Sequence, residues 1–199
     1  MNGKFGKRVF TPQSMVEILT DIVRAAPTMP GTFTSGRISP AFRERILLAV
    51  TSVNRCRYCQ WVHSDLAAAN GISADQIASL LGSSTQSVPE EEKVALLYAL
   101  HYAETNRNPS PLHRQQLVDT YGSETAHDIE NWIHLIFFSN LSGNTFDAFL
   151  SRLRGEPNPE GNAIFEAMFA VLSAPVLLSL AALSKNSVNP LVSLEHNKL

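Results

Sequence analysis

The sequence predicts an all-α fold of about nine helices, and three observations predict it. Apolar residues recur at spacings of three and four along most of the chain, serine or threonine followed by proline repeatedly marks a helix start, and no segment shows strand-like alternation. Thr11 and Pro12 open the first helix, which runs through Met15, Ile18, Leu19, Ile22 and Val23 and stops before Pro27. Pro27 to Ser39, with Pro27, Pro30, Gly31 and Gly36, reads as an irregular connection. Ser39 and Pro40 then start a helix through Ile46, Leu47 and Val50 that carries Glu44. After a break near Asn54 and Arg55, a third helix runs through Trp61, Leu66 and Ala69 to Gly71, a stop in the left-handed conformation.

Ser73 followed by Gln76 signals a short helix ending near Gly82, and Ser87 followed by Glu90 signals another, with Pro89 and three glutamates in its first turn. Ser110 and Pro111 open a helix to Tyr121, and Gly122 ends it. Ser123 begins an amphipathic run through Ile129, Trp132, Ile133, Ile136 and Phe137. Asn140 and Asn144, both turn formers, predict a break before a further helix through Phe146, Phe149, Leu150 and Leu153. Residues 156–162 read as a linker to a final apolar helix over 163–184. No repeat or low-complexity segment divides the chain, so one domain over residues 1–199 is expected.

The chain has 199 residues, 44% hydrophobic and 17% charged, the profile of a folded protein with a sizeable core. Its 16 Lys+Arg are outnumbered by 18 Asp+Glu and no basic run occurs, so nucleic acid is not an expected partner. Lys4, Lys7 and Arg8 precede no apolar signal segment before Pro12, and a cytoplasmic location follows as the expectation. Ala167 to Ser184 is long enough to suggest a membrane span, but its alanines, serines and Pro175 dilute it and no basic or aromatic rim frames it. A buried or inter-subunit helix is expected there, and no membrane partner.

Only two cysteines occur, Cys56 and Cys59, which rules out a disulfide framework and points to chemistry or metal. Cys59 and His63 lie four apart, so on a helix the imidazole stands one turn along on the same face. Cys56 and Cys59, three apart at the start of that helix, are close enough to close a disulfide after modest adjustment. A thiol attacks as its thiolate, and both a helix N-terminus and a neighbouring histidine favour ionisation. The helix end favours Cys56 and the histidine favours Cys59; Cys59 is ranked first as attacker, with Cys56 condensing onto its sulfenic acid. Glu44, twelve residues before Cys56, is expected to fold back against the cysteine helix and orient His63. Tyr58, between the cysteines, either donates a hydrogen bond or lines the pocket.

The same residues offer a donor set for zinc, Cys56, Cys59 and His63 with Glu44 as a fourth. Ligands at i, i+3 and i+7 of one helix rarely close a tetrahedron, and no second CxxC exists, so no metal and no cofactor are expected. His101 and His134 sit in apolar runs and read as core or interface residues, whereas His113, His127 and His196 read as solvent-facing. Trp132, Phe137, Phe138, Phe146 and Phe149 read as core, some of them possible walls of a thiol pocket.

The pattern of Glu44, eleven residues, then Cys56-x-x-Cys59-x-x-x-His63 resembles the signature of the AhpD-like branch of the carboxymuconolactone decarboxylase family. The flanks Gly36-Arg37-Ile38-Ser39-Pro40 and Ala67-Ala68-Ala69-Asn70-Gly71-Ile72-Ser73 are similar too, so the resemblance covers residues 36–81. It implies an AhpD-like helical bundle and an alkylhydroperoxidase-like thiol peroxidase that reduces organic hydroperoxides in antioxidant defence. In that reading Glu44 and His63 relay a proton to Cys59, Cys56 resolves, and a thiol/disulfide electron donor restores the thiols. It also implies a homo-oligomer, a trimer or hexamer. One position departs: peroxidase members carry a second histidine where this chain has Tyr58, which implies weaker peroxidase activity. Decarboxylase members work without the cysteine pair, so an acid–base enzyme, or a non-catalytic helical scaffold, is the alternative expectation.

Overall fold

A computed structural model describes residues 5–185. Among these the structure is all-α, with nine helices: α1 (Pro12–Ala25), α2 (Met29–Thr34), α3 (Pro40–Asn54), α4 (Arg57–Ala69), α5 (Ala74–Leu81), α6 (Lys93–Glu104), α7 (Pro111–Tyr121), α8 (Ser123–Leu153) and α9 (Ala163–Lys185). Lys4 and His196 lie outside the described residues.

The caps expected from the sequence are made. Thr11, Ser39, Ser73 and Ser110 each accept a hydrogen bond from the backbone N–H three residues on. Gly71 closes α4 at φ +83°, and Gly122, at φ +77°, separates α7 from α8.

α3 and α8 form the centre. α3 is buried on nearly every side, through Phe42, Ile46, Leu47, Leu48, Ala49 and Val50, and α4, α5, α6 and α8 pack around it. α8 in turn packs against α1, α2, α3, α4, α7 and α9. Of the expected core aromatics, Phe137 and Phe146 are buried, and Trp132, Phe138 and Phe149 pack against the core from its edge.

Four expectations are corrected. Asn140 to Asn144 is no break: α8 runs unbroken through 31 residues. The asparagines face inward, where their side-chain amides satisfy neighbouring oxygens rather than turning their own backbone. Residues 29–34 are helical rather than irregular, because Pro30 sits in the first turn, where no N–H is needed, and Thr32 donates to the buried Asp128 of α8 at 2.8 Å. Ser87 caps no helix; Pro89 disfavours helical backbone at Val88, so the chain makes a 3-10 turn over Glu90–Glu92 and α6 starts at Lys93. His113 is half-buried rather than solvent-facing, its ring stacked 4.1 Å from that of His101. His127 is exposed, and burial holds the half-buried His134 below the usual histidine range.

Candidate functional site: a buried dithiol beside a carboxylate–histidine pair

The connection between α3 and α4 is two residues long because Arg55 adopts the left-handed conformation, φ 56° and ψ 39°. That turn delivers Cys56 directly as the N-cap of α4, its Sγ accepting from the N–H of Cys59 at 3.3 Å. Asn144 of α8 holds the turn in place, its amide donating to the carbonyls of Asn54 at 2.7 Å and Arg8 at 2.9 Å. Asn140, one turn earlier, donates to Thr51 at 3.2 Å.

Cys56 and Cys59 are free thiols with their sulfurs 2.6 Å apart. Cys56 is 0% exposed and Cys59 9%. The hydrogen bond to Cys56, then burial, then the charges of Cys56 and Asp147 push the Cys59 thiol well above its ordinary value. Cys59 therefore stays protonated without help, and ionising it requires a base.

Glu44, 1% exposed, is brought to His63 as expected: its Oε2 lies 2.7 Å from Nδ1. A carboxylate accepts there, so Nδ1 carries the proton and Nε2 is the basic nitrogen. The sequence reading missed Arg43, which donates to the other Glu44 oxygen through Nε at 3.0 Å and Nη2 at 2.9 Å. Arg43 in turn lies 5.3 Å over the ring of Trp132, which fixes the guanidinium from α8. Among the described residues no hydrogen bond joins His63 to either sulfur; the dithiol and His63 stand one turn apart on α4, with Glu44 reaching His63 from α3.

Tyr58 donates a hydrogen bond, one of the two roles expected of it: its hydroxyl reaches Asp147 of α8 at 2.9 Å. Burial and the Asp147 charge push that hydroxyl up, so it stays a donor. Gly143, one turn before Asp147, lets α8 approach: a Cβ there would lie 2.7 Å from Cys56 Sγ and 3.0 Å from the Tyr58 ring. Neither Gly143 nor Asp147 carries a sequence signal, since both are some ninety residues from the cysteines and only the fold joins them.

A helical protein with a buried N-capping dithiol and a carboxylate-held histidine is the class that fold and site define. Residues 27–104, from before α2 to the end of α6, match the model of the carboxymuconolactone decarboxylase family. No curated protein and no solved structure matches the chain.

Proposed function

We propose that the protein is a thiol-dependent peroxidase of the AhpD-like kind, reducing organic hydroperoxides in antioxidant defence without a cofactor. The family includes alkylhydroperoxidases as well as decarboxylases. The observation that carries the choice is the pair of free, adjacent sulfurs at one helix end. Nε2 of His63 takes the Cys59 proton, and the thiolate attacks the terminal peroxide oxygen. The O–O bond breaks, Cys59 becomes a sulfenic acid, and the alkoxide leaves as alcohol after taking the proton. The Cys56 sulfur then displaces the sulfenic oxygen as water, forming the Cys56–Cys59 disulfide, and a dithiol donor returns both to thiols. One equivalent of an organic hydroperoxide is expected to remove two hydrogens from the reduced chain, read by intact mass. Unchanged thiols would overturn the reading.

If Glu44 stabilises the imidazolium that forms on His63, then Glu44→Gln lowers the rate of thiol oxidation by roughly 10²-fold while the Cys56–Cys59 disulfide still forms at the end point. Stopped-flow oxidation of both proteins checks this, and equal rates would remove His63 and Glu44 from the mechanism. A second reading has one observation of its own. Arg43, Glu44 and His63 form a complete acid–base group with no bond to sulfur. In that case the chain is a decarboxylase-like enzyme in which the thiols are passengers.

We further propose a cytoplasmic homo-oligomer, a trimer or hexamer, in which α9 is covered. Residues 163–180 have mean hydropathy 2.0 and are long and apolar enough to cross a membrane, yet only 17% of that stretch is buried against the rest of the chain. Ile164, Met168, Val171, Leu172 and Val176 are exposed along its outer face, a larger apolar patch than a monomer ordinarily shows. Glu156 and Glu160 flank its start, the wrong sign for an anionic lipid surface. Sedimentation equilibrium is expected to give a trimer or hexamer that Leu172→Glu dissociates. A wild-type monomer that floats with anionic vesicles would refute this.

A further inference from the structure

Asp147 lies on α8 one turn beyond Gly143, on the face that walls the sulfurs, and only 8% of its side chain is exposed. Three donors converge on this one carboxylate. Oδ1 accepts from Tyr58 at 2.9 Å and from Arg57 Nη2 at 2.7 Å, and Oδ2 accepts from Lys7 Nζ at 3.2 Å. Arg57 and Tyr58 are the two residues between the cysteines, and Arg57 also donates to the Tyr58 hydroxyl at 2.8 Å. Lys7 belongs to the N-terminal segment that crosses the α3–α4 turn, where Arg8 bonds Asn54. Among the described residues Asp147 is the only carboxylate paired with either cation.

We propose that Asp147 is a positioning residue of the dithiol, a carboxylate that draws Arg57 and Lys7 onto itself and off the sulfurs and so sets how readily the pair ionises. The inference rests on Cys56 and Cys59 being the working thiols. A guanidinium or ammonium turned toward a thiolate stabilises it, and a carboxylate in the same place opposes it. With both cations paired to Asp147, their charge is offset by that carboxylate rather than by a thiolate. Asp147 adds to the rise of the Cys59 thiol, after the larger effects of Cys56 and burial.

Other charged groups on the elements around α4 have partners of their own. On α3 Glu44 is shared by Arg43 and His63, and on α9 Glu166 is bonded by Arg152 of α8. Arg8 is held by Asn54 and the carbonyl of Ala103. Asp147 is the carboxylate whose charge bears on the Cys59 thiol.

The test is the pH dependence of iodoacetamide alkylation on the reduced full-length chain, which requires no peroxide and so stands whether or not the peroxidase reading does. Asp147→Asn keeps the shape and removes the charge; its alkylation midpoint is expected to fall by about one pH unit, as for loss of one nearby carboxylate. Asp147→Glu should restore the wild-type profile, and Arg57→Gln should move the midpoint the other way. A mere loosening of the site would move Asp147→Asn and Arg57→Gln in the same direction, and that result, or an unshifted Asp147→Asn profile, would overturn the proposal.

Discussion

Cys59→Ser is expected to abolish hydroperoxide turnover, whereas Cys56→Ser should complete one oxidation and then stall with a single oxygen added to Cys59. The asymmetry follows from the environments of the two sulfurs. Cys59 retains some exposure and lies one turn from His63, while Cys56 is fully enclosed by the α3–α4 turn and α8. A peroxide oxygen can therefore be met only at Cys59. The hydrogen bond with Cys56 and the burial that push the Cys59 thiol up also explain why a base is needed, since at neutral pH the ionised fraction is small. Steady-state turnover with a dithiol donor, together with intact masses after one equivalent of peroxide, separates the cases. Retained turnover in Cys59→Ser would move the chemistry to the Arg43–Glu44–His63 group and with it to acid–base catalysis.

The second large effect is expected from a single methyl group. Gly143→Ala places a Cβ 2.7 Å from Cys56 Sγ and 3.0 Å from the Tyr58 ring, and neither neighbour can yield freely. Cys56 is tied down as the cap of α4, and Tyr58 is tied to Asp147. α8 must then lift from α4, at a cost of roughly 1–3 kcal/mol, the usual range for overpacking. For a chain of this size that is a fall in Tm of about 3–10 °C. The same displacement should open Cys56 to alkylation, from which its burial shields it in the wild type. Differential scanning calorimetry and the alkylation rate of the reduced variant check both, and an unchanged Tm would mean that α8 is not the rigid wall described above.

Much of the fold is legible locally, because caps and prolines act within a few residues. Thr11, Ser39, Ser73 and Ser110 announce helix starts through hydrogen bonds to their own next turn, and Gly71 and Gly122 take backbone angles that other residues resist. Cys56, Cys59, His63 and Glu44 are readable for the same reason: they sit on two consecutive helices joined by one tight turn. What misleads is side-chain chemistry whose partner is distant in sequence. Asn140 and Asn144 look like turn formers because their amides can bond nearby backbone in a turn; in the fold those amides serve Thr51, Asn54 and Arg8, with Asn140 also donating back to Ile136 one helical turn earlier, and the helix continues. Arg43 is hidden differently, since an arginine beside a glutamate on a helix ordinarily points to solvent. Only the burial of Glu44 makes that neighbour a partner.

The wall that α8 supplies to the sulfurs has a consequence for modularity. The segment that matches the family model ends at Glu104, before α7 and α8 begin. Gly143, Asn144 and Asp147 nevertheless close the far side of the dithiol, and Lys7 and Arg8 reach it from ahead of the segment. Excised on its own, the segment would keep its cysteines, histidine and glutamate but present Cys56 to water on an unsupported turn. The smallest transplantable unit is therefore set by where the neighbouring helices end, and grafting the motif into another scaffold would have to carry an α8 equivalent with a glycine at the point of closest approach.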